Sequence, residues 1–222
     1  MKPEAILFDA GGTLIHVDFE RVCRAAGIDE DKAAFSRAAT AAAGDVGAWT
    51  ARNPESTDAE RLPVYLDSIL LRLGIDDAGR RKEAARAVAA EHARSNLWSF
   101  SEHGALETVR ELKKRGYRIG VVSNADGRVR RLLDEAGYSP YLDVVIDSVE
   151  VGLEKPDPRI FLAATDRLGV AAQRCAYVGD IYAIDVVGAR AAGMRAILIG
   201  SNAADEDVER IEKLEELLEI FP

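Results

Sequence analysis

Asp9 closes a short apolar run, Ala5–Phe8, and is followed at once by Ala10-Gly11-Gly12-Thr13. Other short apolar runs end on groups of comparable interest. Residues 118–122 lead into Ser123-Asn124, residues 176–178 into Gly179-Asp180, and residues 195–199 into Gly200. A weaker run, residues 144–146, ends at Asp147, with Lys155 in the loop beyond. A carboxylate, a hydroxyl, a cation and a second carboxylate are the parts of a phosphoryl-transfer centre. Taken singly, each also has a plainer reading. Asp at a strand end is commonly a turn or cap residue, Ser123-Asn124 could cap a helix, and Lys155-Pro156 could be a solvated loop.

These groups can cooperate only if one architecture gathers them. The runs are continuous rather than alternating, and rich in β-branched residues. That pattern predicts strands buried on both faces, as in a parallel sheet. Helical patterns separate the later runs: residues 105–115, with Leu106, Val109 and Leu112 on one face, then 128–136, 158–168 and 183–192, each closed by a glycine. Residues 205–220 read as a charged terminal helix. The alternation predicts an α/β fold with a Rossmann-like, doubly wound parallel sheet. In open sheets of that kind the site lies outside the carboxyl ends of the strands, where these residues fall.

Residues 17–98 break the rhythm. They are rich in Ala, Arg and Glu, have no convincing strand, and show helical patterns over 19–43, 58–73 and 78–95, with a turn-prone segment at 52–56. The expected division is an α/β core of residues 1–16 and 99–222 with an inserted all-helical cap at 17–98.

Composition narrows the partners. Of 222 residues, 48% are hydrophobic and 30% charged, the balance of a folded protein rather than a disordered one. A net charge of −9 disfavours nucleic acid, whose phosphates need a basic surface. An acidic protein that handles phosphate must instead concentrate positive charge locally. Cys23 and Cys175 lie far apart and read as buried or free thiols of a reducing compartment. The run before Asp9 is too short for a signal core or a membrane span, which makes a cytoplasmic protein the expectation. Nothing in the pattern specifies an oligomeric state.

The segments around these residues resemble a known set. Ile6-Leu7-Phe8-Asp9-Ala10-Gly11-Gly12-Thr13-Leu14, Val121-Val122-Ser123-Asn124, Glu154-Lys155-Pro156-Asp157-Pro158 and Val178-Gly179-Asp180-Ile181-Tyr182-Ala183-Ile184-Asp185 are similar, in order and spacing, to the four motifs of the haloacid dehalogenase superfamily. The insert sits where a helical, C1-type cap of that family belongs. The resemblance implies a hydrolase acting on a small phosphorylated metabolite. Asp9 would be the nucleophile that becomes an aspartyl-phosphate, and Lys155 and Ser123 would stabilise the transferring oxygens. Backbone around Gly11 and Gly12, with Asn124, would contact substrate. Mg²⁺ would be held by Asp9, the Gly11 carbonyl, Asp180 and, directly or through water, Asp185.

One position departs from the family pattern. Phosphatases of the family carry a second Asp two residues after the nucleophile, as general acid and then base. Here that residue is Gly11. Such a group contributes roughly 10²–10⁴-fold. Several readings follow from its absence. One is a weakened or specialised phosphatase for leaving groups that need no proton, such as acyl phosphates; another has His16 or Asp18 supplying the proton. A third is a non-catalytic protein that binds phosphate and metal. Haloacid dehalogenases place a bulky aromatic at this position and use no metal. Phosphonate hydrolases of the family need a cap lysine, for which only Lys32 and Lys82 are present. Cys23, Trp49 and Trp98 read as packing residues, and the cap arginines Arg21 and Arg52 as candidates for an anionic substrate.

Overall fold

The computed structural model describes residues 2–29, 31–101, 104–200 and 207–222. In chain order the elements open with β1 (Ala5–Phe8) and β2 (His16–Val17). Four helices follow: α1 (Phe19–Ala26), α2 (Lys32–Arg52), α3 (Asp58–Arg72) and α4 (Ala78–Arg94). The chain then alternates through β3 (Trp98–Phe100), α5 (Ala105–Lys114), β4 (Arg118–Ser123), α6 (Val129–Glu135), β5 (Val144–Asp147), α7 (Ser148–Val151) and α8 (Pro158–Leu168). It finishes with β6 (Cys175–Gly179), α9 (Val187–Ala191), β7 (Arg195–Ile199), β8 (Glu209–Ile211) and α10 (Leu217–Ile220).

Six strands form one parallel sheet in the order β5-β4-β1-β6-β7-β8. Both faces are covered, which explains the continuous apolar runs. Along β1, Ile6 and Phe8 enter a core shared with Val109 and Leu112 of α5 and Leu217 and Phe221 at the C-terminus. Ala5 and Leu7 enter the opposite core, with Ile160 and Phe161 of α8 and Ala189 of α9. From β1 the chain builds outward through β4 and β5, then returns to β1's other side at β6. The strand order therefore reverses between β1 and β6, where crevices open in sheets of this kind. Asp9 and Asp180 follow those two strands.

Two expectations about the elements are corrected. The first cap helix is two helices. Gly27 ends α1 in the left-handed region (φ 67°), and Asp31 caps α2, which runs on to Arg52 rather than stopping near residue 43. The second correction concerns the C-terminal segment. Residues 205 and 206 lie outside the described residues, and beyond them Glu209–Ile211 adds a parallel edge strand to β7 before a 3₁₀ turn and the short α10. Pairing with an open sheet edge overrides the helical propensity of a Glu-rich stretch.

The helices α1–α4 pack around their own apolar cluster, including Val22, Phe35, Leu66, Ile69 and Val88. The antiparallel pair β2 and β3 stands where the chain leaves for this helical layer and comes back from it. Cys23 and Cys175 are both free and buried. No helix among the described residues is long and apolar enough to cross a membrane.

Candidate active site

Asp9 follows the last residue of β1, with its backbone N–H donating to Val178 O at 2.8 Å, so its position is set by the neighbouring strand. Its carboxylate receives Nζ of Lys155 at 2.6 Å. Lys155 is only 2% exposed, and the same Nζ donates to Oδ1 of Asp185 at 2.7 Å and to the Tyr177 hydroxyl at 3.0 Å. Tyr177 in turn has Val122 O at 3.0 Å and Asp185 Oδ1 at 3.2 Å as acceptors. A buried ammonium costs heavily unless paired; here two carboxylates and a hydroxyl surround it, and those two carboxylates hold Lys155 well above the ordinary lysine range despite burial. Burial, against the pull of Lys155, pushes the Asp9 carboxyl up to about 6.

Ser123 ends β4, is buried, and lines the cavity that holds Asp9. Asn124 is placed differently from the expectation of a substrate contact. Its Nδ2 donates to Lys155 O at 3.0 Å and its Oδ1 accepts from Lys155 N at 2.7 Å. Both ends of the amide fix the lysine's backbone, and Asn124 also lines the cavity of Asp9. Gly12 also departs from expectation, because its N–H donates to Ile15 O at 2.8 Å inside the loop. Gly11 and Gly12 both line the cavity beside Asp9.

The third carboxylate, Asp180, follows β6. Asp9, Asp180 and Asp185 each place a carboxylate oxygen within 4.8 Å of the others. Burial, reinforced by Asp185 and Asp9, pushes the Asp180 carboxyl well above the usual range. Its Oδ1 is buried and has no hydrogen-bond partner among the described residues. An orphaned carboxylate oxygen facing two other carboxylates is expensive as it stands; a hard divalent cation satisfies all three, so the donor set fits Mg²⁺. Asp185 is the least free of them. Its Oδ1 serves Lys155 and its Oδ2 accepts from Ile181 N at 2.9 Å, which suits contact through water better than direct ligation. It is carried on a single π-helical turn, Tyr182–Val186, in place of the regular helix expected there; such turns widen the helix by one residue.

Asp9, Gly11, Ser123, Lys155, Asp180 and Asp185 share one cavity of about 170 Å³. Its far wall comes from the helical layer: Arg61 and Tyr65 of α3, His92 of α4, and Trp98 of β3. Arg61 is 3% exposed and donates to Lys155 O (3.3 Å), Ser56 Oγ (3.2 Å) and Ser56 O. Trp98 packs on Tyr65 (centroids 6.0 Å apart) and meets His92 edge-on (5.2 Å). A second cavity, of about 540 Å³, shares Gly12, Tyr65, Trp98 and Asp180 with the first.

The residues expected to replace the missing acid lie elsewhere. Asp18 caps α1, accepting from Arg21 N at 3.1 Å, and His16 pairs with Phe100 across β2 and β3; both line the larger cavity and not that of Asp9. Arg21 is occupied by Glu91, Asn96 O and Ser95 O. Lys32 sits over the Phe100 ring (4.1 Å), Lys82 is exposed on α4, and Arg52 is exposed at the end of α2. Trp98, read from sequence as packing, does pack, but on the wall of the site. Tyr177 was also missed, although a lone phenol in an otherwise apolar strand was a signal.

Residues 3–193 match the family described as haloacid dehalogenase-like hydrolase. The chain is 37% identical over 136 residues to haloacid dehalogenase-like hydrolase domain-containing protein 3 of Mus musculus, covering 61% of this chain and 54% of that protein. It is 39% identical over 107 residues to glyceraldehyde 3-phosphate phosphatase of Methanothermobacter thermautotrophicus, covering 48% and 47% respectively. The chain thus spans about half the length of the curated relatives it matches. A dehalogenase solved with an intermediate complex matches 99% of this chain and 97% of its own with a TM-score of 0.68; at 21% identity that likeness shows the fold. Fold, motif order and matched span agree, and the chain belongs to the haloacid dehalogenase-like hydrolase family.

Proposed function

We propose that this protein is a Mg²⁺-dependent phosphatase that acts on a small phosphorylated metabolite through an aspartyl-phosphate on Asp9, with activity narrowed by Gly11. The observation that carries this reading is the pairing of Asp9 with Lys155 at 2.6 Å beside the orphaned oxygen of Asp180. A relative named as a phosphatase supports it.

Asp9 attacks phosphorus with a carboxylate oxygen, and Lys155 offsets negative charge on nucleophile and phosphoryl group together. The Ser123 hydroxyl donates to a phosphoryl oxygen. Asn124 and Arg61 keep the Lys155 backbone in register, and Tyr177 keeps its ammonium aimed at Asp9. Bound Mg²⁺, held by Asp9, Asp180 and the Gly11 carbonyl with Asp185 behind a water, would supply the remaining positive charge that lets a carboxylate approach a phosphate.

A panel of phosphate esters and anhydrides, assayed with and without Mg²⁺, tests the reading. Mg²⁺-dependent release of phosphate from activated members is the expected result. Metal-independent chloride release from a 2-haloacid would replace it with a dehalogenase. Mg²⁺ binding with no turnover of any member would replace it with a non-catalytic phosphate- and metal-binding role.

A further inference from the structure

A side chain at position 11 would press on the ring of Trp98. A β-carbon built on Gly11 lies 3.0 Å from Nε1 and 3.1 Å from Cδ1 of Trp98, and its third-nearest neighbour is Cε2 of the same ring. The ring is held from several sides. Tyr65 stacks on it at 29° between planes, His92 meets it edge-on at 81°, and its backbone N–H donates to Asn96 Oδ1 at 2.8 Å. Its indole N–H has no hydrogen-bond partner among the described residues, and the ring borders the Asp9 cavity. An indole N–H is a donor that does not release its proton.

Resting on the phosphatase reading, we propose that Trp98 is the leaving-group wall of this site and that the enzyme's substrates are acyl phosphates, whose carboxylate departs without being protonated. In the first step a carboxylate oxygen of Asp9 bonds to phosphorus. The bond from phosphorus to the acyl oxygen breaks, and its electron pair leaves on the substrate carboxylate, which receives a hydrogen bond from the indole but no proton. In the second step water bonds to phosphorus and the Asp9 carboxylate departs with the electron pair. Both protons of water stay on the released phosphate, which then equilibrates with solvent.

The two half-reactions are chemically matched. Aspartyl-phosphate is itself an acyl phosphate, so the second step expels a carboxylate from Asp9 in any case. A site that can do this without a proton donor can also expel a substrate carboxylate, a base of pKa about 4. An alkoxide leaving group is far more basic, and expelling it without an acid forfeits roughly 10²–10⁴-fold.

The test compares kcat/KM of the full chain with Mg²⁺ on acetyl phosphate, p-nitrophenyl phosphate, phenyl phosphate and glycerol phosphate. General acid catalysis flattens the dependence on leaving-group basicity, and its absence leaves it steep. The expected result is a steep fall across the series, with acetyl phosphate ahead of glycerol phosphate by ~10²-fold or more. Similar rates for the two would overturn the inference while leaving the phosphatase reading standing; no turnover of any member would overturn both. Trp98→Phe keeps an aromatic ring and removes the donor. With folding checked by an unchanged Tm, it should lower kcat on acetyl phosphate about 3- to 10-fold with little change in KM. An unchanged kcat would remove Trp98 from the proposal.

Discussion

Gly12 and Asp180 stand so close that a β-carbon on the glycine would lie 2.2 Å from Oδ2 of the aspartate. The glycine's backbone is also in the left-handed region (φ 81°), where an L side chain is strained. The tight turn after Asp9 and the seat of Asp180 are therefore one feature. Gly12→Ala is expected to displace the Asp180 carboxylate and weaken Mg²⁺ binding on the order of 10–100-fold. Calorimetric titration of the two proteins measures this directly; equal affinities would mean that Asp180 is not a ligand.

Lys155 is the cation shared by Asp9 and Asp185. Lys155→Met leaves those buried carboxylates without it, a change that costs ~3–5 kcal/mol for a buried pair. Loss of turnover should accompany the drop in Tm. Lys155→Arg should not rescue activity, because a planar fork cannot meet Asp9, Asp185 and Tyr177 at one point. An active arginine variant would argue for a diffuse charge effect.

Arg61 reaches across from α3 to the main-chain oxygen of Lys155. Arg61→Ala strips that carbonyl of its charged donor, and hydrogen bonds of this kind contribute ~1.5–3 kcal/mol. The variant should lose stability of that order, seen in urea unfolding, and should lower kcat. Restoration of kcat by added guanidinium ion would tie the loss to the missing group. A stability loss with kcat unchanged would confine Arg61 to holding the helical layer.

Protons and metal compete for the acidic cluster. Asp9 is raised to about 6 and Asp180 is raised as well, both mainly by burial. A carboxyl raised on folding stabilises the folded state fully below its unfolded pKa near 4, and that contribution is lost as pH rises through the folded value. Through Asp9 the metal-free protein should therefore lose stability between about pH 4 and pH 7, and the raised Asp180 carboxyl acts in the same direction. Mg²⁺ should recover it, so the Tm gain on adding Mg²⁺ grows with pH over that window. A gain that does not vary with pH would detach these carboxylates from the metal.

The Trp98 geometry also revises what Gly11→Asp should do. An aspartate at position 11, where the family carries its acid, would raise turnover of alkyl phosphates if the loop had room for it. With the indole 3.0 Å from the new β-carbon, the single variant should gain little. Gly11→Asp with Trp98→Ala makes the room, and turnover of glycerol phosphate is expected to rise only in the double variant. A rise in the single variant would show that the indole yields.

The sheet side of the site was legible because strand ends punctuate the sequence: Asp9, Ser123 and Asp180 each close an apolar run, and parallel strands deliver their ends to one edge. The helical side was not. Arg61 and Tyr65 come from α3, His92 from α4 and Trp98 from β3, and helical periodicity says that a face is buried without saying against what. The same limit explains Asn124 and Gly12, whose hydrogen bonds to Lys155 and Ile15 depend on loop conformations that have no periodic signature. The break at Gly27 and Asp31 was written in familiar cap residues and obscured by the alanines on either side. The C-terminal edge strand had no such trace, since its residues favour helix until β7 offers them hydrogen bonds.

The central claim is that Asp9 is phosphorylated during turnover. Wild type with Mg²⁺ and ³²P-labelled acetyl phosphate, quenched in acid within milliseconds and digested, should give one base-labile labelled peptide, containing Asp9 and absent from Asp9→Asn. Turnover that leaves no label on the protein, or that persists in Asp9→Asn, would contradict it.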